Sequence, residues 1–240
     1  MRGEPVGLVA DLWRYPVKSF GGEQLRRAFL GPFGLLGDRR HAVLDDRGAL
    51  SARRVPALLG YRARFADAEA GEGAVVRTPE GEELAWGDPR LEEHVRGALG
   101  REVTLATSPV GIHDAAPVHL VTTASIATVG RWVDDEIDRR RFRANVIVEL
   151  DEPRPFAEAG WPGERLVLGD GGPVIQVVSP TERCVVTTVD PDTLERDKSV
   201  LAGLARERDN LFGVYATVVR AGWLRVGAPV RLARASVALT

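Results

Sequence analysis

Apolar residues along this chain recur at every second position in short runs, and glycine, proline and aspartate interrupt those runs. Such alternation, bounded by turn formers, marks half-buried strands. It predicts strands over 6–15, 24–30, 41–45, 61–65, 74–77, 103–106, 145–149, 166–168, 174–179, 184–189, 214–219 and 229–232. Short glycine-containing connections such as Pro79-Glu80-Gly81 suit hairpins. Helical spacing appears in three places. One helix starts behind Asp88 as N-cap, with Pro89 in its first position, and stops at Gly100. The others cover 123–133 and 198–208, the latter with Val200, Leu201 and Leu204 on one face. Many short strands with few helices predict a mainly β (α+β) fold built from barrels, not a doubly wound parallel sheet. Pro109, Gly111 and Pro117 break the pattern and divide the chain into 1–108 and 109–240.

Composition narrows the function classes. The chain has 240 residues, 44% hydrophobic and 28% charged, with a net charge of −2. That balance suits a globular protein and argues against a nucleic-acid partner, which favours a basic stripe. Arg53-Arg54 and Arg139-Arg140-Arg141 read as solvated faces, since acids lie close by in sequence. No apolar run reaches the roughly 18 residues of a membrane-spanning helix, and the first segment lacks a signal core. No membrane association and a cytoplasmic location are therefore expected. The single cysteine, Cys184, excludes an internal disulfide, a Cys-x-x-Cys pair and a four-thiolate iron–sulfur site. Lys18 and Lys198 are the only lysines among 32 basic residues, so a lysine at position 18 stands out.

Several common chemistries find no support. His41, His94, His113 and His119 form no His-Glu-x-x-His pair, and there is neither a phosphate-cradling P-loop nor a G-x-S-x-G elbow. A Ser–His–Asp triad assembles in space and stays open at this level. Adjacent His113 and Asp114 read as a loop pair.

The informative stretch surrounds Cys184, preceded by Ser179-Pro180-Thr181-Glu182-Arg183 and followed by Val185-Val186-Thr187-Thr188-Val189-Asp190-Pro191-Asp192-Thr193. Arg183 beside the sulfur would favour a thiolate, a soft ligand for a thiophilic transition metal. This Arg-Cys pair, two threonines and Asp-Pro-Asp-Thr turn resemble the cysteine motif of the MOSC family. In that family the cysteine is the protein's ligand to molybdenum, so the resemblance assigns catalysis and metal binding to Cys184.

Further segments resemble the amidoxime-reducing branch of that family, in its order. Tyr15-Pro16-Val17-Lys18-Ser19 is similar to the start of its N-terminal β-barrel domain, where Lys18 and Ser19 would hold the phosphate of molybdopterin. Gly37-Asp38-Arg39-Arg40-His41 puts Arg39 at a cofactor-contacting arginine; the alternative is an Arg39–Asp38 surface pair. Arg141-Phe142-Arg143-Ala144-Asn145 resembles an R-F-R-P-N segment with alanine for the proline. On a strand, Arg143 and Asn145 would share one face. Leu211-Phe212-Gly213-Val214-Tyr215 resembles an aromatic segment near the cofactor, although Tyr215 also fits a core stripe. Glu182 stands where the mitochondrial form has serine and is expected to point away from the phosphate.

The resemblance implies a MOSC-type β-barrel packed against an N-terminal β-barrel-like domain. It implies a molybdenum cofactor held by Lys18, Ser19, Arg39, Arg143, Asn145, Arg183 and Tyr215. The implied reaction is two-electron reduction of a small N-hydroxylated substrate. One cysteine cannot hold an iron–sulfur cluster, so electrons are expected from a separate donor such as a ferredoxin or a flavin reductase. A persulfide carrier using Cys184, or a non-enzymatic carrier of the cofactor, are the rival expectations.

Overall fold

The computed structural model describes residues 3–233. In chain order the first strands are β1 (Glu4–Arg14), β2 (Glu23–Leu25), β3 (Arg27–Gly31), β4 (Gly34–Leu35), β5 (His41–Asp45) and β6 (Gly48–Ala49). Then come β7 (Arg62–Asp67), β8 (Glu72–Arg77), β9 (Glu83–Ala85), helix α1 (Pro89–Leu99) and β10 (Thr104–Thr107). The second half holds β11 (Val118–Thr122), α2 (Thr123–Val133), β12 (Val146–Leu150), β13 (Arg165–Leu168) and β14 (Val174–Glu182). It ends with α3 (Ser199–Arg208), β15 (Leu211–Arg220), β16 (Gly222–Arg225) and β17 (Pro229–Ala233).

Seven strands close a barrel in the order β12-β11-β15-β14-β13-β17-β1, and β1 pairs back to β12. Closure leaves this sheet no open seam along β1. All pairings are antiparallel except β11–β12, which α2 connects as a crossover helix. Inward-facing residues fill the interior: Val9 and Leu12 from β1, on either side of a register shift, Val146 and Val148 from β12, Leu166 and Leu168 from β13, and Val214 and Ala216 from β15. A second core, with Val17, Phe20, Val43, Leu58, Tyr61, Val76 and Leu91, lies under the sheets β10-β5-β6 and β7-β8-β9. Strand β1 comes from the first half and completes the barrel of the second, while β16 pairs with β3. The two halves are thus stitched together by strands at both ends.

The capping signals around α1 behave as the sequence implies: the Asp88 side chain accepts from Arg90 N, and Gly100 adopts a left-handed conformation. Two predictions differ. Strand β11 was absent from the alternation because all five of its residues are buried, so it carries no polar face. The stretch 184–189 is not a strand, since β14 ends at Glu182 and Val185–Thr188 forms a 3-10 turn. The Thr187 and Thr188 hydroxyls donate to the carbonyls of Cys184 and Val185 at 3.0 and 2.7 Å. Those local bonds offer the backbone an alternative to a ladder, despite the β-branched composition.

The barrel seam rests on one glycine. Gly7 sits at the register shift of β1 against β17 with φ +156°, and a Cβ there would lie 2.0 Å from the Glu149 carbonyl oxygen. Gly7→Ala should therefore destabilise the fold by about 1–3 kcal/mol in urea denaturation. An unchanged midpoint would show that the seam can open to admit a methyl group.

Candidate cofactor site

The site forms where the chain leaves β1. Residues 15–18 run beside 39–41: Arg39 N donates to Tyr15 O at 2.7 Å, His41 N to Pro16 O at 3.0 Å and Lys18 N to His41 O at 2.8 Å. The buried Asp38 carboxylate accepts from Tyr15 N at 2.8 Å and pairs with the Arg39 guanidinium. This is a buried anchor, not the surface pair that adjacency in sequence suggested. Burial opposes the Arg39 charge, but Asp38 outweighs it and raises the Arg39 pKa above the ordinary value.

Tyr15 lies between two cations. The Arg143 guanidinium is 4.2 Å from its ring centroid and that of Arg39 is 5.1 Å away. Burial pushes the Tyr15 phenol up to about 12, against the pull of these arginines. Arg143 donates to Phe20 O at 2.7 Å, and burial draws its pKa down to about 10. Arg183 donates to Phe142 O at 2.8 Å and is likewise lowered by burial. Neither Arg143 nor Arg183 has a carboxylate within ion-pair distance among the described residues, and the buried Nε of Arg183 has no hydrogen-bond partner. Partly desolvated cations without a counter-charge are costly, and they are what an anionic ligand stabilises.

Arg143 and Asn145 do converge on this place, but not by strand alternation. Arg143 ends a 3-10 turn, Arg139–Phe142, with φ 53°, and β12 begins only at Val146. The Asn145 carboxamide oxygen accepts from His119 N at 3.2 Å and lies 3.4 Å from Arg39 Nη1, while its nitrogen donates to Trp13 O at 3.2 Å. Asn145 thus ties β1 to the start of β12. Ser19, Arg39 and Arg143 all hold positive φ, of 70°, 50° and 53°. Non-glycine residues in that region carry strain and concentrate where function requires a particular side-chain aim.

Lys18 is buried; its ammonium pairs with Asp114 and donates to Ile112 O at 3.2 Å. Burial raises the Asp114 carboxyl, yet Lys18, Arg39 and Arg53 outweigh it and hold it below the usual range. Asp114 is thus an anion already seated among three cations, more than a loop neighbour of His113. The Ser19 hydroxyl accepts from Ala52 N at 2.9 Å, which fixes the loop that carries Arg53.

The Cys184 sulfur is half-buried, at the end of β14. Two cations interact with it, Arg183 and one that sequence reasoning assigned to a solvated face. Cys184 is the first cause raising the Arg53 pKa above its ordinary value, and Ala52 beside Arg53 packs in one apolar cluster with Val186 and Val189. Arg139, Arg140 and Arg141 are not simply solvated either. They pair with Asp11, with Asp138 and Asp192, and with Asp190. Arg140 and Arg62 on Asp192 and Arg141 on Asp190 pin the Asp-Pro-Asp-Thr turn that follows the sulfur. Tyr215 lies on β15 with its ring 5.6 Å from that of His119, and Glu182 is exposed.

His119 is the other residue that sequence reasoning missed. Its ring is buried, 3.5 Å from Arg183 Nη1, and Gly213 makes room for it: a Cβ on Gly213 would lie 2.6 Å from His119 Nε2. Burial, then Arg183 and Arg39, hold its pKa well below the ordinary value, so the imidazole is neutral and can accept from Arg183. A lone histidine in the apolar run Val118–Thr122 gave no signal of this. No serine hydroxyl bonds a histidine ring among the described residues, so no Ser–His–Asp triad forms there.

Residues 107–231 match the MOSC domain and residues 6–103 match the MOSC N-terminal beta barrel domain. Human mitochondrial amidoxime reducing component 2 is 26% identical over 95% of this chain and 84% of its own length. Human mitochondrial amidoxime-reducing component 1 is also 26% identical, with the same coverage. A molybdenum cofactor sulfurase from Danio rerio is 27% identical over 86% of this chain but only 31% of its own length. Among solved structures, the YUAD protein from Bacillus subtilis shares the fold with a TM-score of 0.55 at 13% identity, over 96% of this chain and 97% of that one. No helix among the described residues is long and apolar enough to cross a membrane.

The depressed His119 pKa has a sign. An unfolded histidine takes a proton near pH 6.5, whereas the folded ring resists it to well below that. The contribution to stability is whole above about pH 6.5 and is lost as pH falls further. His119→Gln should therefore flatten the fall in urea midpoint between about pH 7.5 and 5.5. Parallel profiles for the two proteins would contradict a neutral buried ring.

Proposed function

We propose that this chain, which belongs to the MOSC family, binds a molybdenum cofactor at Cys184 and reduces small N-hydroxylated compounds with electrons from a separate donor. The observation that carries the proposal is the pair of partly desolvated, uncompensated guanidinium groups, Arg143 and Arg183, the second of which adjoins the only thiol. A phosphate-bearing pterin supplies the missing negative charge. Names of relatives that include amidoxime reduction support the same class.

The donor set fits the group. Among the described residues no cluster of three histidine, cysteine or acidic side chains could hold a metal alone. Cys184 would therefore contribute a single soft ligand, with the pterin's own sulfurs completing the set. Lys18, Ser19, Arg39 and Arg143 would grip the phosphate and polar edge, with Arg183 and Tyr215 nearer the sulfur and Asn145 bracing Arg39. Phosphate at Lys18 would compete with Asp114 for the ammonium. Bound there, the cofactor supplies two-electron chemistry, with the net change R–NHOH + 2e⁻ + 2H⁺ → R–NH₂ + H₂O.

The chain's own contribution is positional and electrostatic. Arg53, on the loop that the Ser19 hydroxyl fixes, places a positive charge near the sulfur. Neutral His119 accepts from Arg183 and so directs a guanidinium toward the sulfur's neighbourhood without adding charge. The ion-paired turn at Asp190 and Asp192 fixes the backbone after Cys184. Since β1, Lys18, Ser19 and Arg39 all come from the first half, the working unit is the whole chain; 1–108 and 109–240 are proposed as its two domains, sharing one site.

Expression in a cofactor-competent host tests this. The wild type should copurify with stoichiometric molybdenum and, with a surrogate reductant, reduce an amidoxime. Cys184→Ser should keep its fold and lose turnover. Arg183→Ala should lower cofactor affinity about tenfold or more, as expected for a lost charged hydrogen bond. Cyanolysable sulfur without molybdenum would establish the persulfide carrier instead, and bound cofactor without turnover the carrier role.

A further inference from the structure

A groove of about 380 Å³ opens next to the site and is lined by Lys18, Arg47, Arg53, Arg54 and Arg101, with only Asp45 and Asp114 as acids. That local excess of positive charge belongs to a chain whose net charge is −2. The four arginines come from three separate segments. Arg47 stands in the turn between β5 and β6, Arg53 and Arg54 follow the loop fixed by Ser19, and Arg101 follows α1. All four arginines are exposed. Arg101 pairs with Asp45 at 3.4 Å, whereas Arg47 and Arg54 have no carboxylate within ion-pair distance among the described residues.

Exposed guanidinium groups are strongly screened, and each alone binds a small anion weakly. An array of them on one face creates a potential that steers and orients a large, oppositely charged partner. Its position matters as much as its sign. Ala52, next to Arg53 on the groove's loop, packs in one cluster with Val186 and Val189, so a partner docked on this face lies against the segment that follows Cys184. Four arginines on three loops, flanked by acids, do not make the continuous stripe that a nucleic acid needs.

We propose that this face docks the electron donor, a small electron-transfer protein with an acidic surface around its flavin or iron–sulfur centre. The inference rests on the reductase reading, in which two electrons must arrive from outside the chain. Arg47 and Arg54 guide the partner by charge and are not among the residues assigned to hold the cofactor, although Lys18 lines the same groove. The loop that carries Arg53 links the docked face, through Ala52 packed with Val186 and Val189, to the segment after the thiol.

The test uses the cofactor-loaded protein, an acidic flavodoxin as probe, and the double variant Arg47→Glu, Arg54→Glu. Surface plasmon resonance at low ionic strength should show flavodoxin binding that weakens with added salt, and weakens at least tenfold in the variant. Amidoxime reduction driven by reduced flavodoxin should fall in step, while reduction driven by methyl viologen radical, which needs no docked protein, stays within twofold. Unaltered flavodoxin binding in the variant overturns the docking face, as does equal loss with both donors. Wild-type protein that binds flavodoxin but reduces nothing with either donor leaves the docking face standing and overturns the reductase reading.

Discussion

The whole arrangement depends on positive charge held out of water without enough negative charge to balance it. Arg39 is balanced by Asp38, and Lys18 by Asp114. Arg143 and Arg183 are not balanced, and burial lowers both. A fold tolerates such groups when surrounding structure fixes them and when a ligand removes the penalty on binding. Here Tyr15, the Phe20 and Phe142 carbonyls and a neutral histidine supply that support. These contacts orient the guanidinium groups but do not neutralise them, and Arg183 keeps its unbalanced charge next to the one sulfur.

The fold brings these pieces together through a single strand. β1 closes the barrel on both edges and then runs straight into the Tyr15–Ser19 segment, which pairs with residues 39–41. From the barrel side, Arg143 and Asn145 arrive just before β12, and Arg183 and Cys184 arrive just after β14. Each therefore hangs from the end of a barrel strand, on a rigid frame, with short turns providing the last change of direction. The left-handed conformations of Ser19, Arg39 and Arg143 are the visible cost of that redirection.

Much of this was legible in the chain. Alternation located β1, β5, β8, β14 and β17, and cap residues located α1. The rare Lys18 and lone Cys184 stood out against an arginine-rich, cysteine-poor background. What stayed hidden has physical reasons. β11 is covered on both sides and so has no period. The turn after Cys184 is made by threonine side-chain bonds that compete with strand pairing, a choice that β-branched composition conceals. Arg53 and His119 approach the sulfur and Arg183 only through tertiary folding, because Arg53 is 131 positions from Cys184 along the chain and His119 lies inside an apolar run. Convergence of Arg143 and Asn145 was anticipated through alternation, yet it arises from a turn.

Molybdenum-edge X-ray absorption on cofactor-loaded protein addresses the central claim most directly, because it counts sulfur neighbours of the metal. The account predicts that the wild type shows one more sulfur ligand than Cys184→Ser, and that the difference persists when the cofactor is bound to equal occupancy in both. Identical sulfur shells in the two proteins would mean that the thiol is not a ligand, and that the cationic surroundings serve something other than a metal held at Cys184.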